Sequence, residues 1–160
     1  MSKEDEVGSK KDEVEREAKR LANKDEKALE LLVGMQAQAI DKDPSLAEQV
    51  SLEPQYDEAT MGFLDDVRAL GRRILKRWNR ELNKLVCGTD NASEKDRNAI
   101  LGALSLGETA VIAAVAAALL GLGVPAPLAA ALAPLIVKKF IWPAKDELCE
   151  AWSEAIKSEG

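Results

Sequence analysis

AVIAAVAAALLGLGVPAPLAAALAPLIV, residues Ala110 to Val137, is a run of 28 residues without a charge, and its reading decides the fold. Length alone suggests a membrane span. The punctuation argues otherwise. Gly121, Gly123, Pro125 and Pro127 cluster at the centre, where proline withdraws a backbone donor and glycine weakens a helix, so the run predicts two helices joined by a turn. At a helical rise of about 1.5 Å per residue, the arms before and after the turn cover roughly 22 and 18 Å, against about 30 Å of bilayer hydrocarbon. Neither arm spans a typical bilayer unless it recruits flanking residues.

The arms are also rich in alanine, 11 of the 28 residues, and alanine contributes little to insertion compared with Leu, Ile or Phe. Ala110, Ala114 and Ala118 form one i, i+4 row, and Ala113, Ala117 and Gly121 form another. With Ala126 and Ala130 on the second arm, these rows predict close packing of the arms. Ser105 with Glu108 has capping-box spacing for the first arm, Pro127 suits a helix start, and Pro134 is expected to kink the second arm.

The membrane-facing candidates of such a hairpin are its larger side chains: Val111, Ile112, Val115, Leu119, Leu120, Leu122, Leu128, Leu132, Leu135 and Ile136. Lys138, Lys139, Phe140 and Trp142 follow at once, a basic and aromatic cluster suited to anchoring a helix end among lipid headgroups. The arrangement resembles, in architecture alone, the hydrophobic hairpins of colicin-type pore-forming domains. Two readings are open. In one the hairpin is the buried centre of a soluble bundle; in the other it is a membrane-inserting element kept covered by amphipathic helices.

Outside the hairpin the pattern is helical. Val14, Ala18, Leu21, Ala28, Leu29, Leu32, Met35 and Ile40 predict a first helix over residues 12–40, broken near Asn23. Asp41 to Pro44 reads as a turn, and Ser45 with Glu48 starts a short helix. The second long helix is expected over 57–86. Leu64, Val67, Leu70, Gly71, Ile74, Leu75, Trp78, Leu82 and Leu85 share one side, and Arg68, Arg72, Arg73, Lys76, Arg77, Arg80 and Lys84 the other. Gly88 suits a left-handed cap, and Ser93 with Asp96 opens a shorter helix to about Leu104. Leu148, Trp152 and Ile156 recur on a last amphipathic helix over 143–157. Residues 1–11 are polar and expected as an acidic, disordered tail. The fold class is therefore all-α: one helical bundle over residues 12–160 with an apolar hairpin at 105–142.

Charge is unevenly placed. The net values are -9 to Asp66, +5 from Val67 to Gly107, and -2 thereafter. The basic helix can face anionic lipid, or it can meet the acidic N-terminal helix. Nucleic acid is disfavoured, because the chain is acidic overall and no aromatic-interleaved basic loop accompanies the helix.

The absence of histidine removes the commonest general base and metal ligand, and two cysteines cannot build a four-ligand zinc site. Glu108 is accounted for as a helix-starting residue, and Cys87 lies at the wrong pole of its helix for thiolate activation. No catalytic residue, cofactor, metal or small-molecule substrate is expected. The acidic N-terminus lacks the apolar region of a secretory signal, so the protein is expected in the cytoplasm, with Cys87 and Cys149 as free thiols. The functional expectation is a small non-enzymatic effector that associates with or permeabilises a membrane through the hairpin. Its alternative is a soluble adaptor that binds another protein, or a second copy, through its amphipathic helices.

Overall fold

The computed structural model describes residues 3–89 and 91–158, with side chains from Lys10 onward; the part of the expected tail at Met1 and Ser2 lies outside the described residues. The architecture is all-α, without a strand among the described residues. Its α-helices are α1 (Lys3–Leu21), α2 (Glu26–Lys42), α3 (Glu58–Met61), α4 (Leu64–Cys87), α5 (Glu94–Ala103), α6 (Glu108–Gly121), α7 (Ala126–Ile136) and α8 (Leu148–Ser158).

The polar segment expected as a tail is helical from Lys3, continuous with α1. Val14, Ala18 and Leu21 fix the rest of that helix in the core, and Lys10 pairs with Glu48 at 2.7 Å. The break near Asn23 separates α1 from α2, where Asp25 accepts a hydrogen bond from the Ala28 N–H at 2.7 Å. The helix expected over 57–86 is split at Gly62, whose φ of 88° is a left-handed conformation that interrupts the chain between α3 and α4.

The hairpin is formed by α6 and α7. Its turn is a Schellman closure: the Val124 N–H reaches the Leu119 carbonyl and the Gly123 N–H the Leu120 carbonyl, both at 3.1 Å. Gly123 takes the left-handed position, φ 95°, which a side chain would strain. Residues 126–137 are buried without exception, making α7 the central helix, with α1, α2 and α6 packed around it. Pro134 does not end α7. The helix continues into a π-turn, Val137–Ile141, and the sharp change of direction, 76°, comes between Ile141 and Lys145, around Pro143. Proline at 143 has no N–H to carry the ladder onward.

α2 and α4 meet in an unusually close crossing. A Cβ built on Gly34 would lie 2.0 Å from the Val67 carbonyl oxygen, and one on Gly71 would lie 1.9 Å from the Glu30 carbonyl oxygen. Each glycine thus receives the backbone of the other helix, four residues before the opposing glycine.

The two cysteines are bridged, which corrects the expectation of free thiols. Cys87, the last residue of α4, is bonded to Cys149 in the first turn of α8, with a Cα–Cα separation of 5.6 Å. Sequence distance concealed this because the 76° turn folds α8 back onto α4. Gly88 is not the left-handed cap expected of it. Its φ of -85° is ordinary, and glycine is needed for closeness instead, since a Cβ there would sit 2.4 Å from the Lys84 carbonyl oxygen.

α6 segregates its residues by size. Ala110, Ala113, Ala114, Ala117 and Gly121 occupy roughly a third of the circumference at 100° per residue, whereas Val111, Ile112, Val115 and Leu119 on the other side are buried. Two rows, Ala110, Ala114 and Ala118 and Ala113, Ala117 and Gly121, were expected to pack against the second arm. Ala118 is buried, but Ala110, Ala113, Ala114 and Ala117 floor an outer groove beside α1 and α5. Packing therefore predicts opposite outcomes for neighbours: Ala116→Leu, in the core at 0% exposure, should lower unfolding free energy by about 1–3 kcal/mol. Ala117→Leu, above the groove, should change it by less than about 0.5 kcal/mol. Urea titration of both variants checks this.

Candidate functional site

Three features qualify as functional surfaces: the hairpin, the basic side of α4, and the groove over α6. In the hairpin, Val111, Ile112, Val115 and Leu119 on α6 and Leu128, Leu132, Leu135 and Ile136 on α7 are buried. Leu120 is half-buried, and Leu122, at the turn, is exposed. The apolar volume of the hairpin is thus stored inside the bundle, and what it shows to water is chiefly alanine. Among the described residues no single helix is long and apolar enough to cross a membrane. Ala126–Ile141 and Lys145–Ser158 reach that length and composition only as a bent pair.

The four residues proposed as an interface anchor are engaged within the bundle. Lys138 donates from Nζ to the Ala22 carbonyl and to the Lys24 carbonyl, the latter at 2.9 Å, and so satisfies acceptors of the turn between α1 and α2. Phe140 is buried, with the Lys139 ammonium 5.6 Å from its ring centroid. Trp142 is half-buried under the Lys145 ammonium at 4.2 Å. Sequence reasoning had no signal for the Lys138 contact, because the carbonyls it reaches lie more than a hundred residues earlier, in the turn between α1 and α2.

On α4, Arg72, Arg73, Arg77, Arg80 and Lys84 are exposed, while Arg68 and Lys76 are half-buried. Val67, Gly71, Leu75, Asn79, Leu82, Leu85 and Val86 form the opposite, buried side. Arg73, Arg77, Arg80 and Lys84 share a strip about 60° wide and roughly 16 Å long. Among the described residues no ion pair joins an acid of α1 or α2 to that strip. Glu30 of α2 reaches Arg72, beside the strip, at 3.5 Å, and Arg68 and Lys84 pair within α4 with Asp65 and Glu81, each at 3.6 Å. The N-terminal acids instead use nearby cations. Arg20 grips Glu17 through two hydrogen bonds, 2.5 and 2.9 Å, and reaches Glu53 at 2.8 Å. The Arg20 guanidinium holds the Glu17 carboxyl below the usual carboxylate range despite its burial.

The groove, about 600 Å³, runs between α1 and α5 over the alanine floor of α6. Lys11, Glu15 and Lys19 rim it from α1, and Lys95 and Asp96 from α5. Leu106, 79% exposed, stands at its edge. The sequence pattern missed this groove, because alanine rows read as helix contacts whichever neighbour they meet.

Chemically these surfaces offer adsorption and packing. Among the described residues no group of three or more His, Cys, Asp and Glu side chains is placed to hold a metal ion. Glu108 opens α6, but the residue before it, Gly107, supplies the cap position, and Ser105 turns its hydroxyl to the Gly102 carbonyl at 3.0 Å. No family model matches this chain, and neither a characterised protein nor a solved structure matches it.

Proposed function

We propose that this protein is a non-enzymatic helical effector that associates with or permeabilises membranes through the hairpin of α6 and α7. The observation that carries the reading is the division of labour between α7 and α4. An apolar helix is enclosed on all sides, while an outer helix presents an arginine strip, apart from its core contacts, to solvent. In this reading the strip adsorbs the folded protein to anionic lipid, each cation near such a surface contributing about 1 kcal/mol. The hairpin then exchanges its helical cover for hydrocarbon, at little cost because α6 and α7 carry almost no polar side chains. In this reading the protein becomes membrane-associated on activation, without a cofactor, nucleic acid or small-molecule substrate.

The groove over α6, with exposed Leu106 at its edge, favours a second reading, a soluble adaptor that seats a partner helix. Vesicles discriminate the two. Arg73→Glu with Arg80→Glu should weaken binding to phosphatidylglycerol vesicles by about tenfold or more without altering the fold, and added salt should weaken the parent likewise. A parent protein that never binds or permeabilises such vesicles, at any ionic strength, rejects the membrane reading and leaves the adaptor.

A further inference from the structure

The bridge between Cys87 and Cys149 has no part in adsorption, yet it closes a covalent loop that contains α5, α6 and α7, with the whole hairpin inside it. We propose that it is a thiol–disulfide exchange site for a dithiol reductant, and that opening it unlatches α8 from α4.

Three observations converge on this. First, the bridge is reachable: Cys149 is exposed and Cys87 half-buried. Second, it acts where a small change releases an element. α8 has only 11 residues, too few for a stable helix by itself. Apart from the bridge it is held chiefly by Leu148 and by Trp152, whose indole N–H donates to Asn79 on α4 at 2.8 Å. Third, α8 follows the 76° turn that ends Ala126–Ile141, and these two segments together have the length and composition of a span. Bonding Cys149 to the end of α4 opposes straightening of that turn. The latch concerns regulation of the membrane activity and rests on that reading for its purpose, whereas the unlatching itself does not.

The chemistry balances as ordinary exchange. A reductant thiolate attacks the Sγ of Cys149, the more exposed of the two residues; a mixed disulfide forms, the Cys87–Cys149 bond breaks, and Cys87 leaves as thiolate. The Asn83 amide, 3.7 Å from Cys87 Sγ, is placed to donate to it. The second thiol of the reductant, deprotonated, then attacks the reductant sulfur of the mixed disulfide and expels Cys149 as thiolate. That thiolate lies in the first turn of α8, where the helix dipole favours negative charge. Two electrons pass from the dithiol to the bridge, the reductant ends as its disulfide, and its two protons end on the cysteines. Surroundings that are oxidising keep the latch closed, and reducing ones open it.

The experiment uses the full chain with and without dithiothreitol, reading amide exchange in solution and dye release from phosphatidylglycerol vesicles. Reduction should lower the protection of residues 148–158 by about tenfold or more while residues 126–136 stay protected. Cys87→Ser with Cys149→Ser should behave as the reduced parent whether or not reductant is present. Should that variant not fold, graded dithiothreitol on the parent, with thiol content followed by intact mass, tests the same correlation. Unchanged protection of α8 in fully reduced protein overturns the latch. Simultaneous loss of protection in α7 also overturns it, since the bridge is then a staple of the whole fold. Unlatching that raises dye release supports both proposals. Unlatching with no dye release in either redox state upholds the latch and rejects the membrane reading.

Discussion

Gly71→Ala should destabilise this protein by about 3 kcal/mol, the upper end of what an added methyl costs in a packed interior. The new Cβ would lie 1.9 Å from the Glu30 carbonyl oxygen and 2.8 Å from its carbon. Both belong to the backbone of α2, which cannot swing aside as a flexible side chain would. The helices must therefore separate where Glu30 and Gly34 of α2 meet Val67 and Gly71 of α4. Gly34→Ala should behave alike, because its Cβ would meet the Val67 carbonyl at 2.0 Å. The double variant should cost less than the sum, since the first substitution has already parted the helices. Alanine's better helix propensity returns up to about 1 kcal/mol and leaves the net effect unfavourable. Gly102→Ala is the control: nothing lies within 4 Å of its Cβ position, so there the propensity gain should appear alone. Urea unfolding of the four proteins checks the set, and a Gly71→Ala midpoint at or above the parent's would refute the close crossing.

Trp152→Ala should cost about 3–5 kcal/mol, the usual range for truncating a large buried aromatic. Trp152 is fully buried and is among the largest side chains in the core. Its indole N–H donates to the buried Asn79 Oδ1 at 2.8 Å, which joins α8 to the middle of α4. Asn79→Ala should cost about 1–3 kcal/mol through the orphaned indole donor. Trp152→Ala with Asn79→Ala removes both partners together and should cost less than the sum of the two single losses, as paired removal does for buried hydrogen bonds. Thermal unfolding in oxidising buffer, so that the bridge is constant, measures all four. Additive losses across the cycle would show that the two side chains do not act as a pair.

Much of this architecture is legible along the chain because it depends on local pattern. The glycine–proline cluster marks the turn between α6 and α7, and the alternation of leucine with arginine marks both sides of α4. What stays hidden depends on residues that meet only in space. Gly34 lies in an unremarkable stretch, and its need for a missing side chain appears only when the Val67 carbonyl is set against it. Lys138 reads as a headgroup anchor by its position after an apolar helix, yet the acceptors that hold it are at Ala22 and Lys24. Cys87 and Cys149 carry no periodic signal, and an assumed reducing compartment weighed against pairing them. The candidate surface on α4 was therefore readable residue by residue, whereas the storage of the hairpin's leucines and the groove above it were not.

Between Ala110 and Leu120, α6 has small residues on one side and large ones on the other, but both sides are apolar. Water holds the helix at this angle through apolar area: turning it half a revolution about its own axis would bring Val111, Ile112, Val115 and Leu119 toward solvent in place of alanine, at about 0.8 kcal/mol for each methylene exposed. Its angular setting is held by steric fit against α1, α5 and α7 together with the burial of those four side chains. Rotational register in this helix is consequently a matter of side-chain size. Substitutions that shrink the valine side loosen the present angle, whereas adding one polar residue to the alanine side would pin it.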